Sequence, residues 1–413
     1  MIIDSLQYSG LCSCGKEHKM ETRFSIVERG CLKNLTAYMR EYGLVGTTVA
    51  VYDENTYKAT ADRHPTVDFE VILDPADLHA NEHGVARLEE KLPSDAEILI
   101  AIGSGTVHDI TRYCAYTKKA RFVSCPTAAS VDGFCSSVAA MTWNGCKKTL
   151  TAVAPEIVVA DTEVFMNAPI RLTRAGFGDM IGKYIALTDW KIANILVGEF
   201  YCERIAKLTL EATIAVLGAV DGIIEQKAEA YEKLMYGLLL SGLAMQMMGN
   251  SRPASGAEHH ISHLIEMSPT GLCVSSDALH GEKVGVGTLM AIEEYRRLAA
   301  SSVTFGDYTE FDRDRVVRVF GEATAEEIMK ENERDSARGV TAAMLDSHWG
   351  EICAEIEGLP AIALLRDIYS RFDVKARLSD INVSDDAKGA LLDHSPMVRN
   401  RLTLMRLRKT VKN

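Results

Sequence analysis

Five short apolar runs in the first 165 residues most constrain how this chain can fold: TTVAVY (47–52), FEVIL (69–73), EILIAI (97–102), RFVSC (121–125) and IVVA (157–160). Each is strand-length, rich in β-branched residues, and lacks a consistent polar alternation. A strand of that kind must be covered on both faces, which is the environment of a parallel sheet sandwiched by helices. Amphipathic stretches at 24–42 and 80–92 fall between them, as crossover helices would. Trp143-Asn144-Gly145-Cys146 sits between VAAMT and KKTLTAV. Asn-Gly supplies the two positive-φ residues of a type I′ turn, so a β-hairpin is expected there.

Beyond about residue 166 the texture changes. Segments 181–196, 203–219, 226–249, 322–331 and 358–371 have helical periodicity, and no convincing strand follows. The expected architecture is an α/β domain over 1–165 and an all-helical domain over 166–413. A length of 413 residues accommodates two or three domains, and 47% apolar with 25% charged residues is ordinary for a soluble globular chain. The net charge of −12 argues against general affinity for nucleic acid or anionic membrane. The uncharged run 234–251 approaches spanning length, but its Gly, Ser, Gln and Asn make it a buried core helix rather than a membrane span. The start lacks the basic and apolar regions of a secretory signal. The ten cysteines show no framework spacing, so reduced thiols in the cytoplasm are expected.

Three loops follow the strands of the first half. After EILIAI comes Gly103-Ser104-Gly105-Thr106-Val107-His108, then a segment able to begin a helix. Glycines admit a ligand close to the backbone, and N–H groups at a helix start favour an anion. A tight turn with no ligand has the same look, and His108 breaks the Gly-x-Gly-x-x-Gly fingerprint. Asp53 closes TTVAVY, where a carboxylate can accept from ribose hydroxyls or can cap a turn. RFVSC runs into PTAASVDGFCSS, small hydroxyl residues around Asp132. These residues can line the crevice at the strand ends or simply cap a surface loop.

GAEHHISH (256–263) holds three of the eleven histidines. A metal site, a proton relay and a solvated surface are the readings of such density. His259 and His263 share a helical face, and His260 points about a quarter-turn away. With Asp179 and His280, His259 makes one hard oxygen and two borderline nitrogens, a donor set suited to a catalytic divalent metal with open positions. Asp179 and Lys183 also share a helical face. A second cluster, Cys12-Ser-Cys14-Gly-Lys-Glu-His18, offers a terminal metal or redox site. A closed zinc site wants four ligands at wider spacing, so these are read first as ordinary surface residues.

In this order, GSGTVHDITRY, PTAASVDGFCSS, GFGDMIGKY, SRPASGAEHHISH and LHGEKVGVG resemble the sn-glycerol-1-phosphate dehydrogenases. That family lies within the superfamily of iron-type alcohol dehydrogenases, glycerol dehydrogenases and dehydroquinate synthases. CSCGKEH resembles its bacterial branch. The resemblance implies an N-terminal NAD(P)-binding domain, a helical metal- and substrate-binding domain, and a metal in the cleft between them. It puts the metal ligands on Asp179, His259 and His280, with His263 facing substrate and His260 a bystander. The dinucleotide, NAD(H) or NADP(H), falls on Gly103, Ser104, Gly105, Thr106 and Val107, on Thr127, Ala128, Ala129 and Ser130, and on Ser136, with Asp53 at the adenosine ribose. Asp132 matches a substrate-contacting carboxylate.

The implied reaction is reversible reduction of dihydroxyacetone phosphate to sn-glycerol 1-phosphate, assisted by one divalent ion, zinc or nickel. Asp179, His263 and Lys183 form the expected catalytic set, and Arg252, Lys183 or Lys147 are candidate phosphate donors. Ala129 and Cys135 depart from residues common in relatives without removing a polar group the chemistry needs. The resemblance also suggests a homodimer. The rival readings are a glycerol or other polyol dehydrogenase and a dehydroquinate-synthase-like lyase. Such lyases carry Glu where Asp179 stands.

Overall fold

The computed structural model describes every residue except Asn144, Gly145 and Asn413, and the side chains of all the rest save Cys146 and Lys147. The chain forms two compact units. One comprises Met1–Gly176 with Ile214–Asn250, the other Phe177–Thr213 with Ser251–Asn413.

The first unit is built on a seven-stranded sheet. In chain order its strands are β1 (Ile2–Asp4), a small hairpin of β2 (Gly10–Leu11) and β3 (Glu17–His18), β4 (Phe24–Glu28), β5 (Thr48–Asp53), β6 (Phe69–Leu73), β7 (Ile98–Gly103), β8 (Arg121–Pro126), a second hairpin of β9 (Val138–Trp143) and β10 (Cys146–Thr151), and β11 (Ile157–Asp161). The sheet runs β1-β4-β11-β8-β7-β5-β6, parallel except for β1 at its edge. Crossover helices α1 (Leu35–Glu41), α2 (Glu54–Ala59), α3 (Glu82–Glu89) and α4 (Gly105–Lys118) link the strands. All five apolar runs are strands of this sheet. The expected crossover helix at 24–42 is corrected: Phe24–Glu28 is a strand with four consecutive buried residues, and α-helix begins only at Leu35. The β9–β10 hairpin pairs Cys146 with Trp143, while the Asn144-Gly145 turn itself lies outside the described residues.

Alternate residues of each strand feed two separate cores. Val49, Val51, Leu99, Ala101 and Phe122 pack on one face, and Ala50, Tyr52, Ile98, Ile100, Ile102 and Val123 pack on the other. Fully burying one such aliphatic side chain is worth roughly 1.5–3 kcal/mol, which is why these runs show no polar alternation. The strand order reverses between β5 and β7, whose carboxyl ends carry Asp53 and Gly103. Open parallel sheets bind ligands at such a switch point.

Helices dominate the remainder: α5 (Thr162–Phe165), α6 (Ile170–Ile181), α7 (Lys183–Val197), α8 (Glu203–Leu217), α9 (Val220–Ile224), α10 (Ala228–Met248), α11 (Ala257–Met267) and α12 (His280–Ala300), with further helices to the end of the chain. Helix α10 contains most of the long uncharged run and is largely buried. Among the described residues no helix is long and apolar enough to cross a membrane. The second unit also holds one short pair, Thr304–Phe305 with Val411–Lys412. Two-residue strands are too short to show a period in sequence.

His108, which interrupts the glycine fingerprint, is fully buried in α4. Its Nδ1 donates to the Ser104 carbonyl (3.0 Å) and its Nε2 accepts from the Ser124 hydroxyl (2.9 Å). Burial, with Arg112 nearby, pushes its pKa down to about 3. Between that value and an unfolded value near 6.5 the unfolded chain binds a proton that the fold refuses. Stability is therefore intact above about pH 6.5 and falls by about 1.4 kcal/mol per unit as pH drops toward 3. The urea midpoint of His108→Gln should fall less steeply over that window than that of the unmutated chain.

Candidate functional site

In the first unit, β7 turns into α4 through Ser104 at the helix N-cap, whose own side chain makes no capping bond. The first turn of α4 therefore carries N–H groups that the helix cannot pair internally. A Cβ on Gly103 would lie 2.5 Å from the Val107 side chain, so only glycine permits this tight entry. At Gly105 a Cβ would meet just Val131, at 3.6 Å, which leaves the loop's outer side open. Asp53 caps α2, with Oδ1 accepting from the Thr56 N–H (2.8 Å) at the end of β5.

Beyond β8, Thr127, Ala128, Ala129 and Ser130 are buried. Thr127 N–H donates to the Gly103 carbonyl (2.9 Å), tying this loop to the first. Asp132 accepts from the Ser241 hydroxyl of α10 at 2.8 Å. Ser136 donates to the Val138 carbonyl and accepts from the Val138 N–H. Two glycines hold the loop close: a Cβ on Gly176 would come within 2.0 Å of the Ala129 carbonyl, and one on Gly242 within 2.8 Å of the Asp132 carbonyl.

In the second unit, three helix segments bring distant residues together. Asp179 lies near the end of α6, His259 in the first turn of α11, and His280 at the start of α12. One donor atom from each lies within 4.8 Å of the others. His259 Nε2 is 3.5 Å from Asp179 Oδ1, and Lys183 Nζ, wholly buried, is 2.8 Å from the same oxygen and 3.1 Å from the Ala254 carbonyl. The helices approach because glycine lines their contacts. A Cβ on Gly178 would sit 2.3 Å from the Gly281 carbonyl, and one on Gly287 would sit 2.7 Å from that of Glu258.

Two carboxylates that sequence reasoning did not single out orient the rings. His259 Nδ1 donates to Glu258 Oε1 (2.6 Å), which turns Nε2 toward Asp179. Glu266 accepts from His280 Nδ1 (2.9 Å) and His263 Nδ1 (3.2 Å), with Lys283 3.4 Å away. Carboxylate partners of this kind set the tautomer and basicity of ligating histidines. Their signal was a Glu beside His259 and a Glu three residues after His263.

His263, Glu266 and His280 also lie within 4.8 Å of one another. The two ring nitrogens facing Glu266 are proton donors to it, however, and so cannot ligate. His280 could therefore offer an ion only Nε2.

The electrostatics fit a cation. Burial opposes charge on His259, yet its bonds to Asp179 and Glu258 outweigh burial and hold the ring up to about 9. Burial likewise opposes charge on Asp179, but Lys183 and His259 keep it well below the usual carboxylate range. A carboxylate and two imidazoles with buried acidic partners are a donor set for a divalent ion. His263 is pushed down to about 4 by burial, against the pull of Glu266. His260 is fully buried, its pKa pushed well down by burial, and neither ring nitrogen has a hydrogen-bond partner among the described residues.

Arg252, a candidate phosphate donor, gives its guanidinium to Glu199 (2.8 Å) and to the carbonyls of Leu402 (2.8 Å) and Asp189 (3.0 Å). The side chain of Lys147 lies outside the described residues. A cation that the sequence did not flag, Arg401, donates to the Ser255 carbonyl and to the Ser251 hydroxyl (3.1 Å), within the same motif as His259. Burial, then Arg252 and Arg399, push its pKa down to about 9.

With a dinucleotide-type sheet in one unit and helices dominating the other, the chain is similar to the iron-containing alcohol dehydrogenases. That family's model matches residues 26–169. Solved structures agree on the fold. A probable glycerol dehydrogenase from Sinorhizobium meliloti superposes with a TM-score of 0.59 at 21% identity, covering 94% of each chain. A sulfoacetaldehyde reductase from Bifidobacterium kashiwanohense in complex with NAD+ gives 0.61 at 13% identity, covering 95% of this chain and 96% of that one.

Within that class the chain is 39% identical over 305 residues to glycerol-1-phosphate dehydrogenase from Bacillus licheniformis, covering 71% of this chain and 76% of that one. It is 36% identical over 231 residues to the Methanothermobacter thermautotrophicus enzyme of the same name, covering 56% and 62%. The chain belongs to the NAD(P)+-linked glycerol-1-phosphate dehydrogenase family. Replacing Glu258 with Gln should leave the fold intact and weaken metal affinity by about 10–100-fold, read by competition with a chelator.

Proposed function

We propose that this chain is a metal-dependent NAD(P)H-linked dehydrogenase that reversibly reduces dihydroxyacetone phosphate to sn-glycerol 1-phosphate. The observation that carries the proposal is the convergence of Asp179, His259 and His280, which are remote in sequence, within 4.8 Å in a member of this family. A divalent ion held by these three would act as a Lewis acid toward the substrate's ketone oxygen. A bound nicotinamide coenzyme would supply the hydride.

The protein's own groups bind, orient and move protons. Gly103 to Val107 would cradle the pyrophosphate at the start of α4, and Thr127 to Ser130 with Ser136 would line the adjoining strand end. Asp53 at the ribose would repel a 2′-phosphate and so leans the coenzyme choice toward NADH. Lys183 positions Asp179 and offsets its charge. His263, with Nδ1 committed to Glu266, presents Nε2 to a substrate hydroxyl. In the oxidation direction Nε2 takes the hydroxyl proton while Glu266 stabilises the imidazolium, and reduction runs that transfer backwards.

Asp132 accepts from a substrate hydroxyl. The phosphate dianion is read by Arg401, with Arg252 behind it: Arg401 is only partly covered, whereas Nε and Nη2 of Arg252 are committed to Glu199 and to two backbone carbonyls. We assign the enzyme to a cytoplasmic homodimer loaded with zinc or nickel.

The deciding experiment follows NADH and NADPH oxidation with dihydroxyacetone phosphate, in zinc- and nickel-loaded enzyme, with chiral analysis of the product. Asp179→Ala and His259→Ala should lose both bound metal and turnover, as should chelation of the unmutated enzyme. Full turnover by a demonstrably metal-free preparation would refute the scheme. His263→Ala should keep its metal and lose rate, by about 10²–10⁴-fold if it is the proton-transfer group. Arg401→Met should raise KM for dihydroxyacetone phosphate by tenfold or more, a loss of about 1.5–3 kcal/mol for a charge-assisted bond, with little change toward unphosphorylated dihydroxyacetone. Equal turnover of dihydroxyacetone and its phosphate by the unmutated enzyme would favour a polyol dehydrogenase instead. Sustained phosphate release without net NADH oxidation would point to a lyase.

A further inference from the structure

The N-terminal hairpin builds a second constellation that the dehydrogenase chemistry does not use. Strands β2 and β3 pair Gly10 with His18 and Leu11 with Glu17, and the chain between them is Cys12-Ser13-Cys14-Gly15-Lys16. Cys12 N–H donates to the Lys16 carbonyl and Gly15 N–H to the Cys12 carbonyl, both at 2.9 Å. Gly15 sits at φ +84°, the left-handed conformation this reversal needs. The turn carries Cys14 back over His18, with Sγ 3.5 Å from Nε2. The donor atoms of Cys12, Cys14 and His18 all lie within 4.8 Å of one another.

We infer that Cys12, Cys14 and His18 bind a structural zinc ion. Bond lengths of about 2.3 Å to sulfur and about 2.0–2.1 Å to nitrogen, at a tetrahedral angle, separate the two donors by about 3.6 Å, close to the spacing already present. The tautomer is also set. His18 Nδ1 donates to the Met247 carbonyl at the end of α10 (2.8 Å), so Nε2 carries the lone pair and faces the sulfur. Cys12 and His18 are buried, as ligands of a closed site should be.

The ion would staple the hairpin to a junction that reaches the substrate loop. Next to Met247, Gln246 accepts from the Glu21 and Thr22 N–H groups (3.1 and 3.2 Å) and donates to the Cys135 carbonyl (2.5 Å), three residues after Asp132. Its role is to hold that loop. A fourth ligand, thiol or water, completes the tetrahedron.

Cobalt distinguishes the two metal sites, because Asp179, His259 and His280 contain no sulfur. Enzyme purified under reductant should hold two metal ions per chain. Its cobalt-loaded form should show thiolate-to-cobalt charge-transfer absorption in the near ultraviolet, with the strong visible bands of a tetrahedral ion. Asp179→Ala should keep that absorption and lose one equivalent of metal. The double variant Cys12→Ser, Cys14→Ser should lose the absorption and the other equivalent. Three results overturn the inference: no thiolate band in the unmutated cobalt enzyme, a band that survives the double substitution, or a Cys12–Cys14 disulfide found by mass spectrometry in protein purified under reductant. If the double variant fails to fold, the spectrum of the unmutated enzyme is decisive by itself.

Discussion

The arrangement of the second unit follows from burying charge. Asp179 and Lys183 are both wholly inaccessible to solvent, and their 2.8 Å contact is the least that such burial demands. Taking a carboxylate and an ammonium out of water costs several kcal/mol each, recovered only when every charged atom is met. Glu258 and Glu266, also buried, add two further carboxylates beside three imidazoles. A cluster with that much acid is coherent when a cation sits among the rings. The same residues would then serve two ends: they would give an ion its ligands, and they fix α6, α11 and α12 against one another.

The two halves of the proposed chemistry use different parts of the polypeptide. The first unit works mainly through backbone: amide groups at a helix start, glycines that permit approach, and a loop held by small residues on α6 and α10. The second works through side chains whose tautomers are set by neighbouring carboxylates. Backbone groups suit a coenzyme that must be bound in one pose without being altered. Imidazoles and carboxylates suit the place where charge and protons change hands.

How much of this could be read beforehand depended on how local the cause was. The buried strands were legible because burial on both faces leaves no polar alternation, and Asp53 and Gly103 could be placed at strand ends for the same reason. Phe24–Glu28 was missed as a strand because it abuts a helical segment, and the combined stretch has a mixed period. His259, with Asp179 and His280, was singled out chiefly through a resemblance, since candidate ligands so far apart have no fixed spacing. Glu258 and Glu266 stayed hidden because a Glu on a helix is usually solvated, and only the fold shows them turned inward. Arg401, near the chain's end, meets Ser251 and Ser255 through packing across some 150 positions, which no pattern in the sequence announces.

Where α6 passes α12, hydrogen atoms alone separate Gly178 from the backbone of Gly281. The spacing of the helices is thus written in main chain rather than in side chains that can repack. Such a frame lets substitutions elsewhere in the pocket retune ion preference or substrate without disturbing where the ligands stand, and it confines the heritable risk to one added methyl group.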